Sequence, residues 1–347
     1  MNNKSSSKEW GHSLRRMPWD QKDGEPTLTE RLISSTVGEW YLAKHRKASE
    51  EEKALVNSLS PDTCPYCGSS DYIRKGFYKS GIQRYQCKSC SRKFSILTNT
   101  IFDGRKIAFS EWIEYLLHLF EFHSVKTSAR DNRNAGSTGK YWLAKVFGVL
   151  EDVQKDVKLH GDVYIDETYF SRYPSETVRK DGKKLRGISR NKICVATGID
   201  SSGNILIIVE NVSKPSIKST WNAYGSHIEK HAHLIHDDEH SHSILVEKLE
   251  LTETVYPSAE LKKLKDEDNP MDPVNHLHSL IKRFMREHGG FSQNDLQDWM
   301  NLIWFILSDP ANRYEKVRVF IERALSTPLV VRYRDVMSKK PNDTNKL

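Results

Sequence analysis

The chain has 347 residues, room for two or three domains, and carries 53 Lys and Arg against 46 Asp and Glu, a formal charge of +7. That excess suits a nucleic-acid partner without establishing one. Hydrophobic residues reach only 37%, and the polar start Met1-Asn2-Asn3-Lys4 lacks the apolar core of a secretory signal. With no apolar run near the roughly 18 residues that span a bilayer, a cytoplasmic protein without a membrane partner is expected.

Residues 1–26 are polar and read as disordered. Thr27 and Glu30 have capping-box spacing and open a helical extension over residues 27–58, with an apolar stripe at Leu32, Ile33, Val37, Trp40 and Tyr41 and a second short helix near 49–58. A helical pair packed on the body or on a partner chain accounts for this segment, and no chemistry is assigned to it.

Residues 60–100 hold Cys64-Pro65-Tyr66-Cys67 and Cys87-Lys88-Ser89-Cys90, two Cys-x2-Cys turns with 19 residues between them. Four thiolates from two tight turns suit the tetrahedral preference of Zn²⁺, so a structural zinc ribbon is expected, its hairpin arms near Tyr72–Phe77 and Gln83–Gln86. A redox Cys-x-x-Cys would not explain two matched pairs. Arg74, Lys75, Arg84, Lys88, Arg92 and Lys93, interleaved with aromatic residues, suit contacts to DNA phosphates, with a merely solvated basic face as the lesser alternative.

Residues 109–157 turn helical. Ser110 stands at the start as a cap; Trp112, Ile113, Leu116, Leu117, Leu119 and Phe120 form one stripe, and Trp142, Leu143, Val146, Phe147 and Leu150 another, across a polar break at 124–139. Both a helix-turn-helix DNA reader and an ordinary helical connector fit this pattern.

Residues 160–308 read as α/β. A strand runs through Asp162–Phe170, a hairpin joins Asn191–Asp200 to Asn204–Val209, and Ala232–Asp237 is a later strand; the order of three antiparallel strands, helix, strand, helix, strand, helix is that of an RNase H-like domain. Cys194, among apolar strand residues, is most simply a core thiol. Residues 309–347 complete the chain as a helix and tail.

Asp166 interrupts a β-branched and aromatic run, where a carboxylate is costly unless paired or bound to a cation. Asp237 ends the later strand. Asn275 and Lys282 lie seven residues apart on one face of a helix whose buried stripe is Val274, Leu277, Ile281 and Phe284. Phosphoryl transfer by two divalent ions needs such convergent oxygen ligands, Mg²⁺ or Mn²⁺ held by Asp166, Asp237 and Asn275, with Lys282 toward a phosphate. Each piece alone also fits a cap or turn residue. The histidines at 231, 233, 236, 240 and 242 read mostly as surface groups, since no single helical face or turn gathers three of them.

Taken together, the cysteine turns with Arg92-Lys93-Phe94-Ser95, Tyr164–Phe170, Arg186–Lys192, Ile235–His242, Val274–Ser279 with Lys282-Arg283-Phe284, and Gly289–Ser292 resemble the DDE-type insertion-sequence transposases with an N-terminal zinc ribbon, the group numbered fifteen ninety-five. The resemblance covers roughly residues 60–308 and includes a variant with Asn in the third acidic place and Lys seven residues later. It implies that Asp166, Asp237 and Asn275 hold catalytic Mg²⁺ or Mn²⁺, that Lys282 contacts substrate, and that Arg283 lies with it in the DNA-binding set. It implies double-stranded DNA partners, terminal inverted repeats and target, and a homodimer or larger synaptic assembly. Asp238 stands where the family usually has Gly; Asp237 is taken as the ligand because it follows the strand directly. The rival expectation, from the neutral Asn275, is a catalytically silent DNA-binding protein derived from such an enzyme.

Overall fold

The computed structural model describes residues 49–104, 107–132, 134–171, 192–261, 263–265, 268–289 and 292–338. The chain divides into two units, residues 1–47 and 48–347, and every described residue belongs to the second. The expectations for residues 1–26, the helical extension from residue 27 to 48, the match at residues 186–191, Gly290-Phe291 and the end of the tail lie outside the described residues.

Helix α1 (Glu50–Ser58) starts at Ser49, whose side chain accepts the Glu52 N–H. A three-stranded antiparallel sheet follows, β1 (Tyr72–Phe77), β2 (Gln83–Cys87) and β3 (Lys93–Phe94), in that order. Its small core is aromatic, with Tyr72, Tyr85 and Phe94 at centroid separations of 5.3–5.6 Å.

Three helices come next, α2 (Phe109–Phe120), α3 (Val125–Asp131) and α4 (Gly136–Val149), where two were expected. α3 has no apolar stripe to betray it: Ser128 and Ala129 are its buried residues, and a Cβ at Gly139 of α4 would stand 2.7 Å from the Ala129 Cβ. Small residues let these helices approach closely, and Trp112 stacks on Trp142 at 4.2 Å. Ser110 does not cap α2; the Glu52 carboxylate of α1 accepts the Phe109 N–H at 2.9 Å instead.

The larger sheet has five strands, β4 (Asp162–Ser171), β5 (Lys192–Asp200), β6 (Ile205–Val212), β7 (His233–Asp237) and β8 (Thr252–Tyr256), in the order β6-β5-β4-β7-β8. β4–β5 and β5–β6 pair antiparallel, β4–β7 and β7–β8 parallel, giving a mixed α/β fold. One face packs Val163, Ile165, Ala196 and Leu206 against α5 (Ile217–Tyr224) and α6 (Ser243–Leu249). The other packs Ile193, Val195 and Ile207 against α8 (Asp272–Glu287) and α9 (Leu296–Leu307); a short α7 (Ser258–Leu261) precedes α8. α10 (Arg313–Ser326) and α11 (Tyr333–Met337) end the described chain. No described helix is long and apolar enough to cross a membrane.

His288, at the end of α8, is buried between Phe284 and Trp299, with ring separations of 4.5 and 4.6 Å, and neither ring nitrogen has a partner among the described residues. Burial lowers its pKa to about 4. An unfolded histidine titrates near 6.5, so between the two values the unfolded chain binds a proton that the folded chain refuses. Stability therefore falls as pH drops through that window. His288→Phe should shrink the loss between pH 7 and pH 4.5 by about 2–3 kcal/mol in urea unfolding; an unchanged difference would contradict the assignment.

Candidate active site

β4 sets the site by alternation. Even-numbered Asp166 points to the α8 face of the sheet and Glu167 to the α5–α6 face. The β4–β7 register pairs Asp162 with His233 and Tyr164 with Ile235. Carried two residues further, past the last recorded pair, the same offset would set Asp166 beside Asp237, whose carboxylate is near enough to raise the Asp166 pKa. Below them Ile235 packs with Met271 and Val274 of the α8 start, with Tyr164 against that cluster.

Burial pushes the Asp166 carboxyl up to about 7, and the Glu167 and Asp237 carboxylates add to the push, against the Glu167 N–H that donates to its Oδ1 at 2.7 Å. A carboxyl so placed gains most from a bound cation. Asp237 is half-buried: its Oδ1 accepts the Glu239 N–H at 3.2 Å and its Oδ2 the Ser258 hydroxyl at 3.4 Å. Asp238, beyond the strand, is exposed.

α8 starts at Asp272 with Pro273 in its first turn, and buries Val274, Leu277, Ile281 and Phe284. Asn275 and Lys282 are exposed on this helix, Arg283 beside them with its guanidinium 6.0 Å from the Phe122 ring centre. Between Asn275 and Lys282 on the same face, one turn from each, lies His278, which the sequence reading did not single out. Its Nδ1 is 3.8 Å from Asp166 Oδ2, and its Nε2 is 2.6 Å from Thr197 Oγ1. Burial, with the Lys282 ammonium nearby, lowers the His278 pKa to about 4.

Behind the acids runs a second network. Glu167 Oε1 is 2.9 Å from His242 Nε2, His242 Nδ1 is 3.1 Å from His236 Nδ1, and His236 Nε2 is 3.2 Å from Glu253 Oε2. His236 and His242 are buried, which corrects the surface reading of these two; His231 and His240 are exposed as expected. Atoms of His236, Asp237 and His242 come within 4.8 Å of one another. The Glu167 carboxylate raises the His242 pKa against the opposing effect of burial, while burial lowers that of His236. Glu210, on the same sheet face, has its pKa raised by burial and accepts hydrogen bonds from Ser219 and Thr220.

The four ribbon cysteines converge. Cys64 and Cys90 sulfurs lie 3.7 Å apart and Cys67 and Cys87 sulfurs 3.6 Å, with all four within 4.8 Å and none in a disulfide. Zn–S bonds of about 2.3 Å in a tetrahedron require edges of about 3.8 Å, so the cluster could hold zinc. The two turns are alike: Cys64 N–H bonds Ser69 O and Cys87 N–H bonds Arg92 O, and the residue after each second cysteine, Gly68 or Ser91, has φ of 73° or 58°.

Of the ribbon cations, Arg74, Lys75, Arg92 and Lys93 are exposed. Lys88 pairs with Asp71 at 2.8 Å, Arg84 donates to the Lys75 carbonyl, and Arg92 lies over the Tyr66 ring. Cys194 is a buried thiol, its sulfur 3.5 Å from Glu210 Oε2.

No family model matches the chain. It is 30% identical over 128 residues to an uncharacterized protein in transposable element ISH50 of Halobacterium salinarum. The match spans 36% of this chain and 42% of that protein, less than half of the relative's length. Among solved structures, a pre-cleavage Mos1 transpososome superposes with a TM-score of 0.25 and 11% identity, over 63% of this chain and 78% of that one. The Mos1 strand transfer complex gives 0.28 and 13%, over 64% and 78%. Likeness at that level carries no argument here.

Proposed function

We propose that the chain is a DDE-type insertion-sequence transposase of the Asp-Asp-Asn variety, cutting DNA at element ends and joining the freed 3′-hydroxyl to target DNA. The observation that carries this reading is the β4–β7 parallel register, which leads toward Asp166 and Asp237, close enough for the Asp237 carboxylate to raise the Asp166 pKa, with a helix nearby that carries Asn275, His278 and Lys282. The strand order, with three antiparallel strands and two added parallel, supports an RNase H-like domain over residues 160–308. The partial match to a protein from a transposable element agrees with it.

In this reading the ribbon (residues 60–100) and the helices of 109–157 bind double-stranded DNA ends, with Arg74, Lys75, Arg92 and Lys93 on phosphates. Cys64, Cys67, Cys87 and Cys90 would hold a structural zinc. Asp166 and Asp237, with the side-chain oxygen of Asn275, would hold Mg²⁺ or Mn²⁺, which when bound offsets charge on the reacting phosphate. Lys282 holds a phosphate beside the cut. Water displaces one 3′-oxygen from phosphorus in line, and the freed 3′-hydroxyl displaces another at the target. Two ends handled together call for a dimer or larger synaptic assembly.

The test is an in-vitro assay of the full chain on duplexes carrying its own flanking inverted repeats, with Mg²⁺ or Mn²⁺. Cleavage with joining is expected, and metal analysis should find one zinc per chain. End binding without any cleavage would replace this reading with a silent DNA-binding protein. Neither binding nor cleavage would end it.

A further inference from the structure

The hydrogen bonds around Thr197 fix the protons of His278. Thr197 Oγ1 is 2.6 Å from the Asp166 carbonyl oxygen, an approach that requires a hydrogen between two oxygens, and only the Thr197 hydroxyl can provide it. The same Oγ1 is 2.6 Å from His278 Nε2. That contact needs a second hydrogen, and with the hydroxyl proton already used it must be the Nε2–H. Thr197 is held for this task, since it is fully buried and sits opposite Asp166 in the β4–β5 register. In a neutral His278 with its proton on Nε2, Nδ1 is bare, and it lies 3.8 Å from Asp166 Oδ2.

At 3.8 Å the pair is too far apart for a hydrogen bond, and a lone pair facing a carboxylate oxygen is repulsive. Two ligands at about 2.1 Å from one ion stand about 3.0 Å apart when adjacent and about 4.2 Å when opposite. The observed separation falls between these limits. Metal-bound imidazoles also share the pattern of the other nitrogen, an N–H given to a fixed acceptor that locks tautomer and ring plane. Here the acceptor is Thr197.

We infer that His278 Nδ1, together with Asp166 Oδ2, ligates the catalytic divalent ion, so that α8 contributes a nitrogen ligand in addition to, or in place of, the Asn275 oxygen. The inference deepens the transposase reading and rests on it for the word catalytic, but the metal site itself does not. An imidazole in the ligand set favours Mn²⁺ over Mg²⁺, which prefers oxygen donors. Thr197 is then a positioning residue.

Electron spin echo spectroscopy of Mn²⁺ bound to the full, zinc-loaded chain tests this directly. The unmutated protein should show nitrogen coupling of a ligated imidazole, and His278→Gln should lose it. Mn²⁺ affinity by calorimetry should fall roughly 10–100-fold in His278→Gln and about 10-fold in Thr197→Val, with Thr197→Ser near the unmutated value. Asn275→Ala should change it less than His278→Gln does. Absent nitrogen coupling in the unmutated protein, or coupling that survives in His278→Gln, overturns the proposal; the first outcome needs no variant to fold. Failure of the two readings is separable. Nitrogen-ligated Mn²⁺ in a protein that never cuts DNA would sink the transposase and leave the site, and cleavage by a protein without nitrogen coupling would do the reverse.

Discussion

Asp166→Ala and Asp237→Ala should each lower DNA cleavage and joining by roughly 10³-fold or more, the loss that follows from removing about 4 kcal/mol of transition-state stabilisation by a metal-held charge. Binding to element ends should stay within a few-fold, because the ribbon cations proposed to hold those ends lie on β1–β3 and the turns between them, away in sequence from both acids. The two acids differ from Asp238, which is exposed past the end of β7. Asp238→Ala should keep cleavage within about tenfold. Gel assays of cleavage and end binding on the same preparations decide the matter. Activity in Asp237→Ala with none in Asp238→Ala would move the second ligand by one residue, and undiminished activity in Asp166→Ala would remove the site altogether.

The sequence exposes some of this arrangement because the chemistry there conflicts with local pattern. Asp166 stands out within Val163, Tyr164, Ile165, Thr168 and Tyr169, where a strand core has no use for an acid. The cysteine turns stand out by spacing alone. The alternation of strands and helices could be read along the chain, and the shared face of Asn275 and Lys282 from the helical period, whereas the sheet order came only with the fold. His278 carried a weaker signal: it shares their face, yet a histidine beside Leu277 and Ile281 reads as readily as a helix-surface group. What separates the readings is Thr197, brought against Asp166 by the antiparallel register, which no local pattern encodes. The third helix of the 109–157 segment was hidden for a different reason. Its packing rests on Ala129 against Gly139, and close approach through small residues leaves no hydrophobic periodicity to read.

The pair His236 and His242 illustrates the same limit and gives the strongest expectation for stability. The two are six residues apart, one in β7 and one in the 3₁₀ turn before α6, so neither strand nor helix period relates them. In the fold their rings meet at 82° with centroids 4.9 Å apart. Three hydrogen bonds run along the chain Glu167–His242–His236–Glu253, and each needs one hydrogen. With both acids as carboxylates, the two rings together carry three N–H hydrogens, one more than two neutral imidazoles hold. His242 is the cation, donating to Glu167 and to His236, in agreement with its raised pKa and the lowered one of His236. His242 is 0% exposed and the Glu167 side chain only 4%. His242→Ala therefore strands a buried carboxylate without its counter-charge, and should cost about 3–5 kcal/mol in urea unfolding of the full chain. Glu167→Gln added to His242→Ala removes that stranded charge, so the double variant should recover part of the loss. The sum of the two single losses, or a His242→Ala cost below about 1 kcal/mol, would mean that the charge is not held as described. Because Glu167 follows Asp166 directly and His236 precedes Asp237, the same pair ties together, from the back of the sheet, the two strand ends that present the acids.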